Sequence, residues 1–193
     1  MNVLLPQVRT RADVEVVAFY NHRQHEVGYL RQALVDDAQG VYVNFIDDDD
    51  RISERYVEAL YPHLDGKNDQ VGFQMEIRVQ GGPPAPVYCD PGCGGWHDLD
   101  DGYYRDINHC CPIKRAVAQR GTFDTGNRFE DAKWSDQIRG IPRRWHYVDE
   151  VLYFYDYDPE TSITQRDDKA KWKGRPRVAI DSPHFRYHGQ SDV

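Results

Sequence analysis

Asn44-Phe45-Ile46-Asp47-Asp48-Asp49-Asp50 decides how this chain is read, because it joins a strand-like run to four consecutive carboxylates. Val41, Val43 and Phe45 alternate with Tyr42, Asn44 and Ile46, and both sets are largely apolar, the pattern of a strand covered on both faces. The acids begin where that strand ends. Adjacent carboxylates repel, so such a cluster at the mouth of an α/β sheet is expected to hold a divalent cation, and oxygen ligands select Mg2+ or Mn2+ over zinc. The bland alternative is a solvated acidic turn. Against it stand the apolar strand before the acids and the capped-helix pattern of 53–60 after them, since ligands bind at the carboxyl ends of strands in open α/β sheets.

Upstream, Asp13 to Tyr20 reads as a buried strand closed by Asn21, and Val3, Leu4, Leu5 and Val8 as the end of a helix. Val27, Leu30, Leu34 and Ala38 fall at helical spacing, with Gly28 near the start and Gly40 placed as a C-terminal cap. Connection length makes this strand, helix, strand series a parallel unit.

Downstream, Ser53 is the expected N-cap of a helix whose apolar face is Tyr56, Val57, Leu60, Tyr61 and Leu64, with Pro62 ending it. Val71, Phe73, Met75, Ile77 and Val79 alternate with polar residues, as in a strand with one wet face. The stretch 81–106 is rich in Gly, Pro, Asp and Tyr and reads as a long acceptor-side excursion, with a short hairpin over 96–104. A helix is expected after it, with Pro112 in its first turn and Gly121 beyond its end. Glu130 and Asp131 open a further helix that Gly140 ends, and 148–155 reads as a late strand.

"GVYVNFIDDDDRISERYVEAL", followed at a distance by "FEDAKW", resembles the DxD region and the Glu-Asp motif of family 2 glycosyltransferases, especially their short phage-type members. That resemblance implies a GT-A-like α/β fold, a mixed but mainly parallel sheet with flanking helices. It also implies that the usual first strand and helix are lacking, and that a partner copy or partner strand could cover the sheet edge so exposed. The implied activity is metal-dependent transfer of a hexosyl-type sugar, with inversion, from a nucleoside diphosphate donor, UDP-linked by preference, to a hydroxyl on a protein, glycan or modified DNA base. The resemblance assigns donor binding to Asn21, Gly28, Arg31, Asp47 and Asp48, with Arg31 approaching the diphosphate. Metal binding falls to Asp49, Asp47 and Asp50. Asp131 is implied as the base, Glu130 as its helper, and Trp96, Tyr104, Asn108 and His109 as acceptor-side residues. Asn21 stands where the family often has an acid. A catalytically impaired GT-A-like module for binding or assembly, and a metal-dependent hydrolase or nucleotidyltransferase, are the alternative readings.

Composition bounds these readings. The chain has 193 residues, thirteen Tyr and four Trp, and a net charge of −8, so one folded GT-A-like domain over 1–158 is expected and no global positive field attracts nucleic acid. Between positions 166 and 177, six Lys or Arg face two Asp, which marks 159–193 as a basic tail. His184 and His188 are weak further candidates for a metal. No stretch of eighteen apolar residues occurs, and the expectation is a cytoplasmic protein, in the host cytoplasm if phage-encoded, with no membrane partner. Cys89, Cys93, Cys110 and Cys111 admit a zinc site, but adjacent cysteines rarely aim both sulfurs at one ion, and free thiols are the simpler account.

Overall fold

Alternating apolar residues from Val71 onward build the longest sequence-predicted strand, and its ladder organises the sheet. The computed structural model describes residues 3–19, 24–126 and 128–158. In chain order the elements are α1 (Leu4–Val8), α2 (Val27–Asp37), β1 (Tyr42–Val43), β2 (Arg51–Ile52), α3 (Tyr56–Leu60), β3 (Gln70–Val79), β4 (Ala85–Cys89), β5 (Trp96–Leu99), β6 (Gly102–Arg105), β7 (Ile113–Lys114), α4 (Arg115–Ala118), α5 (Glu130–Ile138) and β8 (Trp145–Tyr157). A sheet path runs β1-β7-β3-β4-β6-β5, and β8 pairs with both β3 and β2.

The mixed α/β sheet agrees with the sequence, but its expected parallel character does not hold. Only β3–β8 and β4–β6 are parallel; the other pairings are antiparallel. The reason lies in 81–106. Instead of an irregular excursion, this stretch supplies β4, a 3-10 turn and the β5–β6 hairpin; its short connections make β3–β4 and β5–β6 antiparallel, while β6 lies parallel to β4. Asp90 organises that turn by accepting a hydrogen bond from the Gly92 amide, and Gly94 closes it at φ 67°.

Other expectations change for local reasons. The run 13–19 joins no helix or ladder, with Val16 and Phe19 exposed, so the parallel unit is absent from the described residues. Only Tyr42 and Val43 of 41–46 enter a ladder, antiparallel to β7. Gly40 is not a helix cap, because Ala38 ends α2 and the Gln39 and Gly40 amides bond to the Glu15 carboxylate instead. The helix expected from Pro112 is mostly replaced by β7 and the single turn of α4. Ser53 sits before the N-cap Arg55, and its hydroxyl accepts from the Arg55 amide.

Two cores flank the sheet. Val71, Phe73 and Met75 of β3 pack with Tyr56, Leu60, Leu152 and Tyr153 in the first, and Val35, Ile113, Phe123, Trp134 and Ile138 form the second. Each fully buried aliphatic or aromatic side chain contributes about 1.5–3 kcal/mol, more than an exposed ion pair such as Arg51–Asp156 supplies. Gly121 lets α5 approach the preceding turn, since a Cβ there would lie 2.9 Å from both Ile138 and Trp134. The four cysteines are free and buried, with Cys89, Cys110 and Cys111 in the first core.

Candidate active site

The acidic run emerges from β1 into a turn closed by the Asp50 amide donating to the Asp47 carbonyl. Val43 and Phe45 pack into the second core and Ile46 into the first, so alternation carries the chain between both cores and delivers Asp47 at the sheet margin. Tyr153 of β8 holds the turn from below. Its hydroxyl accepts from the Asp47 amide at 3.1 Å and donates to Asp50 Oδ2 at 2.7 Å. Sequence reasoning missed this residue; the only signal was a polar-tipped aromatic in an otherwise apolar late strand.

Arg31 comes from the buried side of α2. Its Nη2 lies 3.0 Å from both Asp47 oxygens, and its Nε lies 3.5 Å from Glu130 Oε1. His109 completes the assembly, with Nε2 3.4 Å from Asp47 Oδ2 and Nδ1 3.5 Å from Asp131 Oδ2. The acid cluster and the Glu-Asp pair, eighty-odd residues apart in sequence, are thus joined through two cationic side chains in one site. Arg31 Nη1 is buried and makes no hydrogen bond among the described residues, whereas His109 Nδ1 has the Asp131 carboxylate at ion-pair distance. A buried donor such as Nη1 calls for a partner.

Electrostatics follow from this packing. Burial alone would raise the Asp47 and Asp131 pKa values, but His109 and Arg31 outweigh it and hold both carboxyls below the ordinary range. For His109, burial and Arg31 oppose the charged form, yet the neighbouring Cys110 sulfur and the flanking Asp131 and Asp47 carboxylates prevail and the imidazole is raised well above its usual value. Burial first and the like charges of Asp47 and Asp49 next push Asp50 up to about 7, although the Tyr153 hydrogen bond works in the opposite direction. Asp49 also moves up, through burial and its acidic neighbours.

This donor set constrains any cation. Both Asp47 oxygens are already engaged, whereas Asp49 and Asp50 are crowded acids that a divalent ion would relieve. Among the described residues no three His, Cys, Asp or Glu side chains converge into a ready cage. In nucleotide sites Mg2+ and Mn2+ are usually held by one or two carboxylates, with phosphate oxygens completing the shell.

Several sequence-selected residues lie elsewhere. Asn108 accepts from the Cys110 amide and shapes the turn that presents His109. Trp96 donates to the Ile107 carbonyl, which also accepts from Ser135 on α5, so it buttresses the helix carrying Asp131. Tyr104 stacks on Tyr88 and its hydroxyl donates to Asp101, within the β-hairpin and not among the acids. Gly28 has a steric reason to be glycine, since a Cβ would fall 1.6 Å from the Asp124 carbonyl oxygen. Asp48 is exposed at the turn. Asn21, the 159–193 tail, His184 and His188 lie outside the described residues. Phe129, the N-cap of α5, adopts φ 56° and is exposed next to Glu130, a strained placement that no sequence pattern announced.

No family model and no curated protein matches the chain. Solved structures do. Across 79% of this chain and 46% of the other, it superposes on TarS 1–349 of S. aureus with a TM-score of 0.52 at 15% identity. The fold is GT-A-like. A second TarS structure gives a TM-score of 0.53 at 16% identity over 81% of this chain and 29% of the other. TarS 1–349 in complex with UDP-GlcNAc gives 0.51 at 15% identity over 80% and 45%. The chain therefore spans less than half the length of these GT-A neighbours. Among its described residues, no helix is long and apolar enough to cross a membrane.

Proposed function

We propose that the chain is a nucleotide-sugar glycosyltransferase, and more finely that it transfers a hexosyl-type sugar from a nucleoside diphosphate donor to an acceptor hydroxyl in a metal-dependent reaction with inversion. The observation that carries this reading is the convergence of Asp47 and Asp131 on either side of His109, with Arg31 tying Asp47 to Glu130, the neighbour of Asp131. The GT-A-like fold supports it, as does the UDP-GlcNAc bound by one of the matching structures.

In this mechanism Asp131 accepts the proton of the acceptor hydroxyl as that oxygen attacks the sugar. A useful base must be ionised yet shielded from water, and His109 beside a largely enclosed carboxylate meets both needs. Glu130, paired to Arg31, fixes the start of α5 and hence the position of Asp131. Arg31 binds Asp47 through Nη2 and retains the unpartnered Nη1 for a phosphate oxygen. Asp49 and Asp50 would hold Mg2+ or Mn2+, which when bound supplies Lewis-acid neutralisation of the leaving diphosphate. Asp48, exposed on the same turn, is free to meet the donor's polar groups. A UDP-linked donor, a protein, glycan or modified-base acceptor, and a cytoplasmic setting belong to the same proposal.

One observation favours a second reading, a donor-binding module without turnover: the 13–19 run beside β1 is unladdered, leaving that half of the sheet incomplete. Calorimetry of the full chain with UDP plus Mn2+, followed by UDP release from UDP-GlcNAc and UDP-glucose, separates the two. Binding with release supports the transferase; binding without release supports the module; no binding of either overturns both.

A further inference from the structure

Phe129 carries a steric cost that its own helix does not explain. Its backbone is left-handed, at φ 56° and ψ 17°, a region that residues with a Cβ enter under strain and that Gly or Asn reaches easily. The conformation has a local use, since the Phe129 carbonyl accepts from the Lys133 amide at 2.9 Å and starts α5. Glycine or asparagine would serve that turn better. The aromatic ring returns nothing to the fold, because it is 42% exposed and, among the described residues, belongs to neither core. Nor is the surrounding backbone loosely placed. Before it, the Gly126 carbonyl accepts from the Gly28 amide at 3.1 Å; after it, Glu130 is buried against Arg31.

Its position in the chain gives the ring a place to act. The two residues that follow are the ones that reach the acidic site, Glu130 toward Arg31 and Asp131 toward His109. A strained, exposed aromatic two residues from the acid that would meet the acceptor hydroxyl stands on the acceptor side of that site, and strain of this kind concentrates where a ligand is held. Chemistry then narrows what the ring holds. An alcohol on a flexible peptide side chain offers no flat surface to stack on. A nucleobase stacks well, but the phosphates that accompany it in nucleic acid meet a chain of net charge −8. A pyranose has an apolar face of C–H bonds with hydroxyls around its edge, so stacking that face on Phe129 carries an edge hydroxyl toward Asp131.

We propose that Phe129 is a specificity-determining residue of the acceptor site, selecting a pyranose by stacking on the ring's apolar face while an edge hydroxyl meets Asp131. The role of Asp131 in this inference rests on the transferase reading, so the test reads pyranose binding apart from transfer. Saturation-transfer-difference NMR of the full chain is recorded with methyl β-glucopyranoside, methyl β-galactopyranoside and methyl β-N-acetylglucosaminide, and with an N-acetylated Gly-Thr-Gly amide and 5-hydroxymethyl-2′-deoxyuridine for comparison. At least one pyranoside should receive saturation from aromatic protons on its C–H face, with the signal lost by about tenfold in Phe129→Gly and kept in Phe129→Tyr and in Asp131→Asn. Phe129→Gly should melt no lower than the original chain, since it relieves a strained backbone; a fall of more than about 3 °C would show that the ring supports the fold and overturn the proposal. It is equally overturned if no pyranoside binds, if binding ignores the loss of the ring, or if the peptide or the nucleoside gives the Phe129-dependent signal instead. UDP with Mn2+ is titrated in parallel by calorimetry: pyranoside stacking without UDP binding sinks the donor reading and leaves the stacking role standing, and UDP binding without pyranoside stacking does the reverse.

Discussion

Between Gln70 and Val79, β3 is laddered on both sides, by β4 over Phe73–Ile77 and by β8 over its whole length, whereas Tyr42 and Val43 are laddered on one side only. The first region is held by backbone pairing along its length and by burial from Gln70 to Phe73 and at Met75. The second depends on side chains: Arg31, Asp47, His109, Asp131 and Tyr153 fix the acidic turn where strand pairing does not. The acids proposed to carry the chemistry therefore sit on the part of the sheet with the least backbone support. Its geometry is set by buried charges, so the site is sensitive to single substitutions that the β3–β8 spine would absorb.

The sharpest way to test that division is Asp131→Asn. With UDP release from UDP-GlcNAc as readout, kcat should fall by about 10³-fold while metal-assisted UDP binding by calorimetry stays unchanged. Retained turnover would remove Asp131 from the role of base. Arg31→Leu tests the structural half of the contrast. It leaves Glu130 buried without its cation and Asp47 with His109 alone, and stability measured by urea denaturation should drop by about 3 kcal/mol. Arg31→Leu combined with Asp47→Leu should recover part of the loss, and an additive double mutant would show that the two side chains act independently.

Gly28→Ala asks whether the α2 end of the site tolerates any shift. The new Cβ meets the Asp124 carbonyl, so the 124–126 turn must move, with a cost of about 1–3 kcal/mol read as a lowered melting temperature. A smaller effect is expected from pH. Asp50 has a folded pKa raised to about 7, so its neutral form is favoured by folding; its contribution to stability is present below the unfolded carboxyl value and is lost as pH rises through 7. A cation must displace that proton, so Mn2+-assisted UDP binding should be several-fold tighter at pH 8 than at pH 6, and Asp50→Asn should flatten that dependence.

Much of the site was legible before the fold was known. Four successive acids after an apolar run, and Glu130-Asp131 opening a helix, are local patterns, and each lies where local pattern placed it. What escaped was everything requiring two distant segments at once. The resemblance assigns Trp96 and Tyr104 to the acceptor side, yet one supports Ile107 and the other stacks on Tyr88, because the 81–106 stretch pairs into the sheet. His109 was picked as an acceptor-side residue; its position between two carboxylates is a fact of packing, not of spacing.

By itself, the sequence determined the β3 and β8 strands, the α2 and α5 helices and the location of the acids, since periodicity and capping act within a few residues of one another. Only tertiary structure decided that the sheet is only partly parallel, that 13–19 stays unladdered, and that Arg31 and His109 neutralise the acids from opposite sides. Strand order and charge pairing depend on which segments meet in space, and a short connection or a buried arginine changes that outcome without altering any local pattern.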